Sequence, residues 1–137
     1  MTSSAWVLQA AMRSALEADA DLISLIGNPP PVYDRVPPGA QLPYIAFGDW
    51  KIDENDTDDA RIDSHAVMID VWSSYAGLKQ AKAIAVAIEA ALHGAPLALD
   101  GYSLIDLSYV ASVFSQDQKE QISRAALRFR ALTQRNE

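Results

Sequence analysis

The chain has 137 residues, half of them hydrophobic, with no cysteine and a formal net charge of −7. That length suits a single domain, residues 1–137, able to bury roughly 65–70% of the surface its unfolded form exposes. The missing cysteines exclude disulfides and thiolate metal sites, and the acidic balance argues against a broad phosphate-binding face.

Ser3 or Ser4 is placed to cap a first helix over about Ser4 to Ala18, with Ala5, Leu8, Met12, Ala15 and Leu16 on one face. Asp19-Ala20-Asp21 opens a shorter helical turn through Leu22, Ile23, Leu25 and Ile26, which stops at Gly27-Asn28. Six of the seven prolines fall between positions 29 and 43, excluding helix and central strand there. Val32 to Val36 between them fits a short edge strand. Pro43 introduces a strand over Tyr44 to Trp50, followed by a mobile acidic loop around Asn55 to Asp59. The partner strand runs from Ala60 to Ser73, where Val67, Ile69 and Val71 alternate with Met68, Asp70 and Trp72. The apolar period then changes to about 3.6 residues. Leu78, Ala81, Ala85, Ile88 and Leu92 mark a main helix over about Tyr75 to His93, begun by Ser73 or Ser74 and stopped by Gly94 and Pro96. After a short arm at Leu97 to Gly101, Tyr102–Ser115 and Ile122–Thr133 form a long hairpin. In its second strand Ala125, Leu127, Phe129 and Ala131 share one side, and Arg124, Arg128 and Arg130 take the other. The fold class expected is α+β: a mostly antiparallel twisted sheet with the N-terminal and main helices packed on it and a C-terminal β-hairpin.

Reactive constellations are missing from this pattern. No register of the acidic stretch fits a helix–loop–helix calcium site: a start at Asp53 puts Asp58 where glycine belongs and Ser64 at the last ligand. His65 and His93 have no zinc spacing, and His93 in a last helical turn suits a cation facing the helix dipole. No nucleophile elbow or phosphate-cradling glycine loop is present. No catalytic residue, metal or other cofactor is therefore expected. Nor is a secretory signal or membrane span expected, since Met1 to Trp6 lack a basic region and no apolar run is long enough.

Charge is unevenly placed. Asp49, Asp53, Glu54, Asp56, Asp58 and Asp59 stand against Lys51 alone, while Lys119, Arg124, Arg128, Arg130 and Arg135 outnumber Glu120 and Glu137 near the end. These segments either meet across a boundary between identical subunits or are solvated faces that maintain solubility. Trp6, Phe47, Tyr109, Phe114 and Phe129 fit a core. Trp50 and Trp72 lie near strand ends on the less apolar parity, which suits an interface or a covering helix equally.

In order and spacing, the N-terminal helix, Asp21-Leu22-Ile23-Ser24-Leu25-Ile26-Gly27, Leu42-Pro43-Tyr44-Ile45-Ala46-Phe47-Gly48, Val67 to Ser73 leading to the helix ending at Leu92, and the C-terminal hairpin resemble one family. It is that of the tail-completion, or tail-terminator, proteins of long-tailed bacteriophages and gene transfer agents. The resemblance implies a virion structural protein: a homo-hexameric ring at the head–tail junction, assembled in the bacterial host cytoplasm. Such a ring caps the tail-tube protein, halts its polymerisation and joins it to the head–tail connector (stopper) protein, with DNA passing through without sequence reading. It supplies no catalytic site to carry over. Opposed charge suggests subunit or ring contacts at Trp50, Asp53, Glu54, Asp56, Asp58, Asp59, Trp72, Arg124, Arg128 and Arg130. An acidic lining of the pore is the other use open to the loop. The competing classes are a small enzyme or ligand-binding domain with a pocket between helix and sheet, and a dimeric adaptor unrelated to tails.

Overall fold

Two sequence periods build the two layers of the structure, a computed structural model that describes residues 2–74 and 77–136. The helices are α1 (Ser4–Glu17), α2 (Ala20–Ile26) and α3 (Lys79–Leu92). The strands are β1 (Val32–Tyr33), β2 (Tyr44–Glu54), β3 (Ile62–Ser74), β4 (Tyr102–Asp117) and β5 (Ile122–Arg135). They form one sheet in the order β1-β2-β3-β5-β4, antiparallel except where β1 meets β2. The α+β class and the mostly antiparallel sheet are as expected.

Alternation divides the sheet into a covered and an uncovered face. On β3, Val67, Ile69 and Val71 are buried; on β5, Ala125, Leu127, Phe129 and Ala131 are. They share one core with Leu8, Met12 and Leu16 of α1, Leu22 of α2, and Ala81, Ile84, Ala85, Ile88 and Leu92 of α3. Each helix offers a stripe at three- and four-residue steps, so its apolar side reaches the sheet while its polar side stays wet. Ser3 caps α1 through the Trp6 N–H and Asp19 caps α2 through the Leu22 N–H.

Several local expectations differ. The main helix starts at Lys79 with Leu78 as its cap; Ser73 and Ser74 close β3 instead, and the expected start at Tyr75 lies outside the described residues. Trp6 is 54% exposed on the outer side of α1, because the buried stripe there is Ser4, Leu8, Met12 and Leu16. The edge strand near Val32 is two residues long, since the prolines on either side remove ladder donors. His93, expected to face the helix dipole, instead turns its ring to β4: its Nδ1 accepts the Tyr109 backbone N–H at 3.1 Å, tying the end of α3 to that strand. The β4–β5 turn lacks glycine and is held by Asp117, whose side chain accepts from the Lys119 and Glu120 N–H groups, with Gln121 at positive φ.

Beneath the covered face, His65 is buried between Trp50 and Thr133. An indole can only donate, so the Trp50 Nε1–H fixes His65 Nδ1 as acceptor at 3.0 Å and leaves Nε2 to donate to Thr133 Oγ1 at 2.9 Å. Burial pushes this imidazole below its ordinary value of 6.5, with Asp63 opposing weakly. The folded state therefore binds a proton less readily than the unfolded one. The contribution is complete above about pH 6.5 and is lost as pH falls through the folded value. The urea midpoint is expected to drop between about pH 7.5 and about pH 5.5. His65→Gln should show a shallower drop, and parallel curves for the two proteins would remove this role.

Candidate assembly surface

The uncovered face is built by the alternate residues of the same strands. On β5 these are Arg124, Arg128 and Arg130, which stand opposite Trp72, Met68 and Ala66 of β3 and opposite Ser115, Ala111 and Ser108 of β4. Helices take up the apolar parity on the other side, which is why arginine tolerates this one. The three cations are not equivalent. Arg124 directs Nε and Nη2 at Asp70 Oδ1, at 3.1 and 2.7 Å, and its guanidinium lies over the Trp72 ring at 5.1 Å. Arg128 and Arg130 are exposed and make no ion pair among the described residues.

Asp70 was not singled out in the sequence, yet it organises this patch. It is 8% exposed on the uncovered side of a central strand, where its charge requires a partner. Gly48 on β2 makes the room: a Cβ there would come within 2.9 Å of Asp70 Oδ2. A lone carboxylate at the polar parity of an apolar strand, with a glycine in the neighbouring strand, was the available signal.

The two tryptophans separate. Between Phe47 and Trp50 the β2–β3 register shifts, so an extra residue on β2 turns Trp50 to the covered face. There it packs partly buried on the core, edge-on to His65 and tilted on Phe47. Trp72 stays on the uncovered face with Arg124.

The acidic stretch is more ordered than a loose loop. β2 runs on to Glu54, so Asp53 and Glu54 are strand residues, facing Ser64 and Asp63. The connection closes through Asn55 N–H to the Ile62 carbonyl and Thr57 N–H to the Ala60 carbonyl. Asp56 accepts the Ile62 N–H at 2.8 Å and lies 3.5 Å from the Arg61 guanidinium. That backbone bond, and then a hydrogen bond with Glu54, hold the Asp56 carboxyl below its ordinary value; sharing with Asp56 and repulsion from it push Glu54 up. Asp58 and Asp59 remain exposed at the tip.

Within one subunit the acidic hairpin and Arg128/Arg130 are not brought together. The hairpin meets the end of β5, where the Arg135 N–H donates to the Arg61 carbonyl, and an open cleft runs from Asp56–Arg61 to Gln134 and Asn136. The sheet thus presents separate surfaces of opposite sign, which can attract identical copies. Among the described residues no group of three or more His, Asp or Glu is arranged to hold a metal.

Comparison with known proteins follows this geometry. The family model for tail completion protein gp17 matches residues 10–134. A chain from a solved structure described as the virion of a native gene transfer agent (GTA) particle is 33% identical, with a TM-score of 0.87, over 98% of this chain and 99% of that one. No curated protein matches.

Removing the Arg124 side chain leaves Asp70 buried without its cation. Arg124→Ala is expected to cost about 1–3 kcal/mol in urea unfolding, with Gly48→Ala losing a part of that by crowding the same carboxylate. Unchanged midpoints for both would show that Asp70 needs neither.

Proposed function

Because the chain belongs to the tail completion protein gp17 family, we propose that it closes into a ring, a homo-hexamer, that ends tail-tube polymerisation. The ring sits at the head–tail junction of a long-tailed phage or phage-like particle. One side of it meets the tail-tube protein and the other the head–tail connector, and DNA passes through the centre without being read. Assembly takes place in the bacterial host cytoplasm, and the chain performs no bond-making chemistry of its own.

The observation that carries this reading is the pair of separate, oppositely charged surfaces on one sheet. Arg128 and Arg130 are exposed without ion-pair partners among the described residues, and Asp53, Glu54, Asp56, Asp58 and Asp59 gather at the end of another strand pair. A contact between two different surfaces of identical chains is head-to-tail, and repeating it closes a ring when the rotation permits. Trp72 and Arg124 extend the arginine face, while Trp50 supports the acidic strand from behind. Placing acidic groups of one subunit on arginines of the next also guides register, since like charges in the wrong alignment repel.

Imaging the protein mixed with the tail-tube protein of its own particle is the direct test. Capped tubes of limited length are expected; tubes that grow past added protein would end the proposal. Arg128→Glu combined with Arg130→Glu should fold normally, because both side chains are already in water, and should give fewer rings and longer tubes. Rings formed as readily by this double variant would remove the charge contact.

A further inference from the structure

The two borders of the sheet are each half blocked. β4 is the outer strand beside β5, but the end of α3 occupies the first half of its outer edge. There the Leu107 carbonyl accepts the Gly94 N–H at 2.8 Å, and the Tyr109 N–H donates to His93 Nδ1. These are the groups an added strand would need. Past the bulge at Val110, no comparable cover exists among the described residues. From the alternation of ladder bonds, every second residue from Ser112 to Gln116 turns its backbone N–H and C=O away from β5. Val110 and Val113 are 46% and 66% exposed on this stretch. On the opposite border β1 covers β2 only at Ile45 and Ala46, so β2 from Phe47 to Glu54 pairs in the sheet with β3 alone. Open strand borders of this kind are templates for another chain.

We propose that residues 110–117 of β4 add as a strand to residues 47–54 of β2 in a second copy, so that one sheet continues from subunit to subunit. This deepens the ring reading and rests on it. A second copy is selected by direction, length and charge. β4 and β2 run oppositely in the sheet, so a neighbour brought round by rotation presents them antiparallel, the geometry each already makes with its own neighbour. The two open stretches have matching length. The open part of β2 carries Asp49, Asp53 and Glu54 against Lys51. Arg128 and Arg130 lie one strand in from the β4 border, opposite the small residues Ala111 and Ser108. The adjoining strand would lie two strand spacings, roughly 9.6 Å, from β5, a span that an extended arginine and a facing carboxylate cover together, so Arg128, over Ala111 in the open stretch, can reach across β4 to an acid of the adjoining copy. The open half of β4 is at the Ser74/Ile122 end of the sheet and that of β2 at the acidic-hairpin end. Joining them staggers each copy along the strands, and a stagger with tilted strands is what a sheet closing on itself requires.

The absence of cysteine makes crosslinking unambiguous. Lys51→Cys is combined in turn with Ala111→Cys, Val113→Cys and Ser115→Cys, all exposed positions of the uncovered face, and each protein is oxidised where the wild type forms rings. A ladder of disulfide-linked multimers from at least one pair is expected, with none from any single variant. Val110→Lys with Val113→Lys places charge on the border at sites already in water. This variant should raise the concentration for half-assembly about tenfold or more, roughly 1.4 kcal/mol, with an unchanged melting curve. Rings formed normally by the lysine variant, or rings in all three cysteine pairs with no ladder, overturn the border pairing and leave the ring reading standing. Linked dimers from Val113→Cys alone also overturn it, since β4 would then pair with β4 across a two-fold. A wild-type chain that forms no ring, alone or on its tail tube, overturns both.

Discussion

Phe129, Leu127 and Ala125 on β5 and Val67, Ile69 and Val71 on β3 are buried in one cluster with Ile84, Ala85, Ile88 and Leu92 of α3, and the other features of the molecule follow from this contact. Each large side chain removed from water contributes about 1.5–3 kcal/mol, whereas an exposed ion pair gives about 0–1 kcal/mol. Burial therefore decides which side of the sheet the helices take. Because the helical layer satisfies only one face, the other is left to residues that accept water or a partner. The arginines of β5 are a product of one-sided packing before they are a contact surface.

Charge inside this frame follows the same economy of burial. Among the described residues Asp70 is the one acidic side chain held nearly out of solvent, and it is tolerated because Arg124 reaches it twice and Gly48 leaves space beside it. Arg128 and Arg130, two and three ladder positions further along from Arg124, have no such anchor. Members of one basic ladder thus divide into an internal support and cations with no ion-pair partner among the described residues. At the hairpin end the Ile62 N–H, and then Glu54, hold the Asp56 carboxyl low, while Asp56 pushes Glu54 up, so part of the acidic charge is fixed to the backbone of the turn.

For a tail completion protein, shape is what has to be transmitted. On the function proposed above, a subunit that stops one polymer and receives another component needs borders that accept a copy of itself in one direction only. Bulges at Ile105 and Val110, and the seating of Gly94 and His93 against β4, interrupt the long outer strand. A uniform border would allow many registers, and the interruption limits them. Restricting how strands can add is as important to an assembling protein as offering them.

Local periodicity made the architecture legible: Val67, Ile69 and Val71 announced β3, the stripe from Ala81 to Leu92 announced α3, and Ala125 to Ala131 announced the buried side of β5. These patterns arise within a single element and need no knowledge of its neighbours. The order and spacing of the elements also carried the family, and the sign of each charged segment was plain. Other features depend on pairing between distant residues. The extra residue between Phe47 and Trp50 turned one tryptophan inward while Trp72 stayed on the uncovered face, and no single-strand alternation contains that shift. Pairing with β3 drew Asp53 and Glu54 into a strand. Packing of α3 against β4 made His93 an acceptor, and the choice of the Leu8–Leu16 stripe left Trp6 in solvent. Sequence determined which faces were apolar, because that is written residue by residue. Tertiary structure alone decided which polar groups met, since bulges, registers and half-covered borders exist only once two elements lie side by side.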